Sequence, residues 1–507
     1  MISLLVSIAL LIAGYLIYSR IIERVVQFDT PRKTPAIKHP DGVDYVPLKP
    51  WRIFLIQFLN IAGVGPICGA IMGAKFGTAS YLWIVFGCIF AGAVHDYISG
   101  MLSLRKNGAS LPEIHGQYLG PTIRRVMTIV SIIMLLLTGV VFVNTPATLI
   151  HTVFAPNSNL YLWVVIIFAY YLLASVVPID KLIGRIYPIF GFVLLASALL
   201  LLGAALYYQP DIPEVWEGLR NQHPQAASQP IFPMMFISIA CGAISGFHAT
   251  QSPLMARCMS SEKQGRPIFY GAMIVEGIVA LIWASLAAYM YHDHPDLCLG
   301  KNGPAMVEVI SKQWFGPATV TFIALGVVFA AITSGDTALR SARLIVADAL
   351  QYDQKSIKNR LTVAIPIFAI TAGGLVFSVA NSDGFETVWH YFGWLNQVLA
   401  TISLWALTCF LFWKGRYQFF TLIPALFMTM VTGCFLFVAE TEGLGRYIPR
   451  AAGYVIGALI TLLAYLRYLQ WTHAFHGRYS KTHTPTTDKG MAKKRFEQTE
   501  KSIHQKK

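Results

Sequence analysis

The chain has 507 residues, 55% of them hydrophobic and only 13% charged, which excludes a soluble domain and describes a polytopic membrane protein. A formal charge of +14 would suggest nucleic acid as partner of a soluble protein; here the placement of the charges is informative instead, and no nucleic acid is expected. The seven cysteines (68, 88, 241, 258, 298, 409 and 434) form no CxxC pair or metal-like spacing, so reduced, packed thiols are expected.

Apolar segments of about 18–25 residues suit a hydrocarbon core ~30 Å thick. Thirteen can be read, at about 2–19, 53–74, 80–103, 123–146, 161–178, 185–207, 231–250, 267–291, 317–339, 361–380, 390–413, 418–438 and 451–470. The first lacks a basic leader and is followed by Arg20, Arg24, Arg32 and Lys33, which resist export. It reads as an uncleaved span with its N-terminus outside.

The second segment carries Ala62-Gly63-Val64-Gly65-Pro66-Ile67-Cys68-Gly69 in its middle. Gly is about 1 kcal/mol and Pro about 3 kcal/mol worse than Ala inside a helix, so a break is expected here. Pro66 suits the first turn of a restarted helix, whose free N–H groups and positive dipole end would receive a carboxylate. Gly63, Gly65, Pro66 and Gly69 are therefore candidate substrate contacts; the alternative is a packing kink that admits a neighbouring helix. In the third segment His95-Asp96 are candidates for proton coupling, or for a structural link to the basic inner loops.

The seventh segment repeats the interruption as Ala240-Cys241-Gly242-Ala243-Ile244-Ser245-Gly246-Phe247-His248. Gly242, Ser245, Gly246 and His248 are its candidate substrate contacts. In the eighth, Glu276 lies in an otherwise apolar run, where a charged, unpaired carboxylate costs several kcal/mol; a coupling role is expected. In the ninth, the hydroxyls of Thr333 and Ser334, with unwound carbonyls near Ala62–Gly65, could hold a cation, and Asp336 could bind a proton or Na⁺. Their alternative is local: hydroxyls bonded to their own helix and Asp336 paired with Arg340 one turn on. Asn396-Gln397 in the eleventh suit interhelical hydrogen bonding first and cavity lining second. His292-Asp293-His294, in an outer loop, lacks a companion cluster and is weak evidence for a metal. No HExxH, GxSxG or Walker pattern is present, so no enzyme and no cofactor are expected.

Basic residues alternate with this layout. The expected inner loops carry Arg20 to Arg52, Arg105/Lys106/Arg124/Arg125, Lys181/Arg185, Arg257/Lys263/Arg266, Arg340/Arg343/Lys355/Lys358/Arg360 and Lys414/Arg416, whereas 147–160 has no base. The broken second and seventh segments are five apart, hence antiparallel. Segments 2–6 and 7–11 then form an inverted repeat of five helices each, the LeuT-like plan. The expected divisions are 1–20 (an extra helix), 21–208 (loop and first repeat), 209–413 (second repeat), 414–470 (two helices) and 471–507, a basic, disordered cytoplasmic tail.

Several stretches resemble the carbon-starvation (CstA) family of bacterial inner-membrane transporters: Asp41-Gly42-Val43-Asp44-Tyr45-Val46-Pro47, Ile61–Pro66, Phe90–Asp96, Cys241–His248, Tyr270–Met273 with Glu276, and Asn396-Gln397. They spread over about 41 to 400. The resemblance implies an all-α fold related to the amino acid–polyamine–cation superfamily, and proton-coupled uptake of pyruvate or of peptides during nutrient limitation. Larger relatives carry a His-His pair where this chain has Gln57-Phe58, and Gln where it has His95. The expected partners are the lipid bilayer and a small organic acid or peptide, with H⁺ or, second, Na⁺ as coupling ion. The runner-up is a non-transporting nutrient sensor on a transporter scaffold, although the tail after Trp471 is short and polar for a signalling domain.

Overall fold

The computed structural model describes residues 1–27, 32–40, 45–176, 179–381 and 383–481. The Asp41–Asp44 part of the resemblance and residues 482–507 of the expected tail lie outside them. The chain divides into two units, Met1–Gly457 and Ala458–Lys507. The described part of the second, to Lys481, is helical throughout.

Among the described residues every regular element is a helix. In chain order the main ones are α1 (Ile2–Val26), α2 (Pro50–Ala62), α3 (Gly65–Ala74), α4 (Ala79–Arg105), α5 (Pro121–Phe154), α6 (Leu160–Val176), α7 (Ile179–Tyr208), α8 (residues 231–238) and α9 (Gly246–Ala256). They continue with α10 (Glu262–Asp293), α11 (Pro317–Leu350), α12 (Ile357–Ala380), α13 (Gly384–Trp413), α14 (Phe419–Val438) and α15 (Arg450–Lys481). Proline opens α2, α5 and α11, where its missing N–H costs nothing. Gln351, in the left-handed region at φ 52°, closes α11.

Among the described residues ten helices are long and apolar enough to cross a membrane, and eleven if α2 and α3, bent by 49°, count as one. Three of the thirteen expected segments do not pass as uninterrupted spans: the bent second, the fifth and the seventh. The fifth, α6, has 17 residues in its described part. The seventh stops at Ser238 and restarts at Gly246, so neither piece is long enough alone. The ninth is longer than its apolar run suggests. It continues to Leu350 and buries Arg340 and Arg343, which the charge pattern assigns to a loop. Arg340 can be buried because its guanidinium pairs with Asp336 and donates to the Ala174 carbonyl, while Arg343 donates to Gln354.

Small residues set the tightest approaches. A Cβ on Gly335 of α11 would come 2.4 Å from the Tyr171 ring of α6. That proximity lets the Tyr171 hydroxyl donate to the carbonyls of Phe142 (2.7 Å) and Ala331 (3.1 Å), fastening α6 to α5 and α11. At the start of α1, the Ile2 and Ser3 N–H groups donate to the Glu214 carboxylate at 2.8 and 2.7 Å, and the Met1 amino group pairs with it at 2.5 Å. A distant acidic side chain thus caps a helix that has no capping residue of its own.

Candidate functional site

The site is built where two helices stop. In the first break, between α2 and α3, Gly63 adopts φ 42°, ψ −134°, a conformation that excludes side chains, and Val64 caps the restart by accepting the Cys68 N–H at 2.8 Å. The Ser334 hydroxyl of α11 donates to the Leu59 and Asn60 carbonyls at 3.0 and 3.3 Å, adding a second donor to Leu59, which also accepts the Gly63 N–H, at the end of α2.

The second break spans 239–245 and is held by three side chains from two other helices. Trp83 Nε1 of α4 donates to the Ile239 carbonyl at 3.3 Å. Gln397 of α13 donates to the carbonyls of Phe236 (3.2 Å) and Ala240 (3.3 Å). Asn396 Oδ1 accepts from Ser245 Oγ (3.1 Å) and from the Phe247 N–H (2.7 Å), capping the first turn of α9. Asn396 and Gln397 thus spend their amides on the broken backbone.

The two breaks touch. A Cβ on Gly65 would lie 2.3 Å from both Cβ and Sγ of Cys241, and the nearest approach of Gly242 to α3 is Pro66 Cα, 3.9 Å from the Cβ position. Gly69 faces the Ser238 carbonyl and the Trp389 ring, and Gly246 faces the Asn396 and Ala400 backbone. All of these residues, with Ala62 and Ser245, are buried. Gly65, Gly69 and Gly242 therefore lie where the breaks approach each other, whereas Gly63 faces Phe142 and Ser334 and Gly246 packs on α13.

Four of the expected ionisable residues form one buried cluster. His95 Nδ1 lies 2.9 Å from Asp96 Oδ1, and the other Asp96 oxygen lies 2.7 Å from His248 Nδ1. His248 Nε2 is 3.4 Å from Glu276 Oε2, a charge contact without hydrogen-bond geometry. All four side chains are 0% exposed. The cluster joins α4, the restart helix α9 and α10. Cys241, His248 and Glu276 each bring an atom within 4.8 Å of the others, close enough to bridge an ion. The thiol, however, already bonds Ser245 (3.7 Å) and Asn396 (3.6 Å), and the imidazole lies between two carboxylates, so the geometry is that of an acid–base cluster.

Two candidates, Thr333 and Asp336, fall to their local or structural alternatives, and the outer-loop triplet adds no metal site. Thr333 Oγ1 donates to Phe329 and Ala330 on its own helix, so it does not join Ser334 at the first break. Asp336 is held by Tyr187 Oη at 2.6 Å and by Arg340 at 3.5 Å, an internal clamp rather than an open acid. His292 bonds Asp293 while His294 turns to Tyr289 and Gln313, so the triplet does not converge on one point.

The sequence reading missed Tyr187, whose role depends on a partner 149 positions away, and the amides of Gln57 and Asn60. The latter lie within two turns of the first break, are 0% exposed, and have no hydrogen-bond partner on either amide atom. Two amides in an apolar helix just before a glycine break were the available signal.

A family model described as "Carbon starvation protein CstA" matches residues 1–159, 144–312 and 299–434. An uncharacterized membrane protein of Haemophilus influenzae is 41% identical over 56% of this chain and 90% of its own length. The peptide transporter CstA of Bacillus subtilis is 25% identical over 91% of this chain and 94% of its own. The pyruvate/proton symporter BtsT of Escherichia coli is 29% identical over 59% of this chain and 50% of its own. Among solved structures, a manganese transporter of Eremococcus coleocola superposes with a TM-score of 0.56 at 13% identity, covering 87% of this chain and 99% of that one. MhsT in complex with L-phenylalanine gives 0.53 at 12%, covering 82% and 97%. At such identities the likeness concerns the fold, the LeuT-like arrangement.

Proposed function

This chain belongs to the carbon starvation protein CstA family of multi-pass membrane transporters, and on that premise we propose that it imports a small carboxylate by proton symport. Pyruvate is the first candidate and short peptides the second. The observation that carries this reading is the buried contact of the two broken helices at Gly65 and Cys241, with Gly69 and Gly242 beside it. Two helix restarts, α3 and α9, end there with their positive dipole ends, which favours an anionic guest. Thirteen spans with the N-terminus outside, the C-terminus inside and a repeat of segments 2–6 and 7–11 fit this scheme: they bring the two breaks together antiparallel, and the basic residues to the inner loops.

A proton is favoured over Na⁺ for a physical reason. Na⁺ needs a shell of several oxygens, and of the two hydroxyls expected near Ala62 only Ser334 reaches the first break, Thr333 contacting Phe329 and Ala330 of its own helix. Protons instead have acceptors at His95, Asp96 and Glu276. The test is labelled pyruvate uptake into proteoliposomes with and without an inside-alkaline gradient. Gradient-driven accumulation supports the proposal. No accumulation of pyruvate, di- or tripeptides under H⁺ or Na⁺ gradients defeats it and favours a sensor.

A further inference from the structure

Each of His95, Asp96, His248 and Glu276 has a plausible role alone, but their arrangement says more. Asp96 is the bridge: one oxygen meets His95 and the other His248, so both imidazole orientations are fixed through Nδ1. The far nitrogen of His248 faces Glu276, whose two oxygens have no hydrogen-bond partner, and the far nitrogen of His95 has none either. Asp96 is thus the member bonded at both of its oxygens, while the far nitrogens of His95 and His248 and both Glu276 oxygens are left unsatisfied.

Charge imposes a second condition. Among the described ion pairs none joins these four to Lys or Arg. The ionisable groups that face the cluster from neighbouring elements are Cys88 and Cys241, beside Glu276 and His248, and His115, towards His95. None of these supplies a fixed positive charge. Two buried carboxylates can be neutralised only by protons held within the set, so the number of protons sets its net charge in a low-dielectric interior.

We infer that His95, Asp96, His248 and Glu276 act as one proton-holding relay, with His248 as the link between proton binding and substrate binding. This rests on the transporter reading above. His248 is the third residue of α9, in the same first turn whose dipole end faces the substrate region. An anion arriving there lowers the cost of one more positive charge nearby, so the relay takes up a proton, which enters at Glu276 or His95 and is shared through Asp96. Release of the anion on the inner side reverses the balance and the proton leaves. Substrate and proton are thereby bound together by electrostatics, without a direct contact between them. His248 accordingly changes role, from a substrate contact to the shared member of the relay.

The experiment compares two readouts on the same proteoliposomes: pyruvate–pyruvate exchange, which needs no proton gradient, and accumulation driven by an inside-alkaline gradient. Glu276→Gln is expected to lower the ratio of accumulation to exchange at least ten-fold, and to abolish proton movement on pyruvate addition. An unchanged ratio overturns the relay. If Glu276→Gln loses both activities, His95→Gln decides: it keeps a hydrogen-bonding side chain but cannot carry the charge. Its accumulation should then follow a pH profile displaced from wild type, and an identical profile overturns the relay. Absence of exchange in wild type, with pyruvate and with short peptides, defeats the transporter reading itself and is thus separable from failure of the relay.

Discussion

The two broken helices solve one problem in different ways. The first break is two residues long, with a glycine at positive φ and one hydroxyl, from Ser334, on the carbonyls of Leu59 and Asn60. The second is seven residues long, 239–245, and is supported by Trp83, Asn396 and Gln397 from two other helices. A short break needs little support because few backbone groups lose partners. A long one must recruit side chains, since an unpaired buried backbone group costs as much as a lost hydrogen bond. The first break is thus shaped by what is absent at glycine, the second by what neighbouring helices supply. Loss of space should therefore damage the first most, and loss of a polar side chain the second.

Gly65 gives the largest expected effect. Gly65→Leu should reach the membrane and lose uptake altogether, because any Cβ there meets Cys241 at 2.3 Å. Gly65→Ala combined with Cys241→Gly should regain part of the uptake lost in Gly65→Ala alone, since Cβ and Sγ of Cys241 are the obstructing atoms. Uptake by Gly65→Leu at the wild-type level would show that the contact between breaks is not the transport site.

Asp336 comes next, through stability. Removing one partner of a buried ion pair costs about 3–5 kcal/mol. Asp336→Asn should lower the melting temperature in detergent strongly, while uptake per folded molecule keeps its dependence on the pH gradient. A stable variant that loses that dependence would return Asp336 to the coupling machinery.

The polar supports follow, and they measure the contrast between breaks directly. Asn396→Ala leaves the Phe247 N–H without its acceptor, a loss of about 1–3 kcal/mol at the turn where α9 restarts. Uptake should fall about ten-fold or more, one decade corresponding to roughly 1.4 kcal/mol. Ser334→Ala removes one bifurcated hydroxyl contact, worth about 1 kcal/mol, and uptake should fall only a few-fold with no change in response to Na⁺. Equal losses in the two variants would remove the distinction drawn between the breaks.

What the sequence could reveal follows the same division. Glycine and proline interrupt a helix through their own backbone chemistry, so Gly63–Gly69 and the Gly246 restart were legible residue by residue. Parity of the intervening segments gives the expectation that the two breaks run antiparallel. Ionisable residues in apolar runs were legible as unusual, but not as a group. Asp96 and His248 are 152 positions apart, and nothing local in either shows that they share a hydrogen bond. Thr333 and Asp336 show the converse limit. Thr333 took its local partners, Phe329 and Ala330, whereas Asp336 took both its local partner Arg340, at 3.5 Å, and the distant Tyr187, at 2.6 Å. Helix lengths were misjudged where charge was taken to end a span: Arg340 and Arg343 are buried because each found an acceptor.

The smallest transport effect is expected at a helix end far from both breaks. Burial raises the Glu214 carboxyl, but hydrogen bonds from the Met1 amino group, Ser3 and Ile2 lower it more, to about 2. A carboxylate depressed in the folded protein contributes stability that is fully present above its ordinary value near 4.5 and is lost as the pH falls towards 2. The melting temperature should therefore decline over that interval in wild type. In Glu214→Gln it should start lower and decline less, because the amide cannot titrate and holds the α1 N–H groups more weakly. Uptake at neutral pH should change less than in Ser334→Ala, since this cap touches neither break nor the buried acid–base cluster. A loss of uptake as large as that of Asn396→Ala, with the protein still folded, would mean that α1 and the loop of Glu214 take part in the transport motion, and that the two breaks are not its whole machinery.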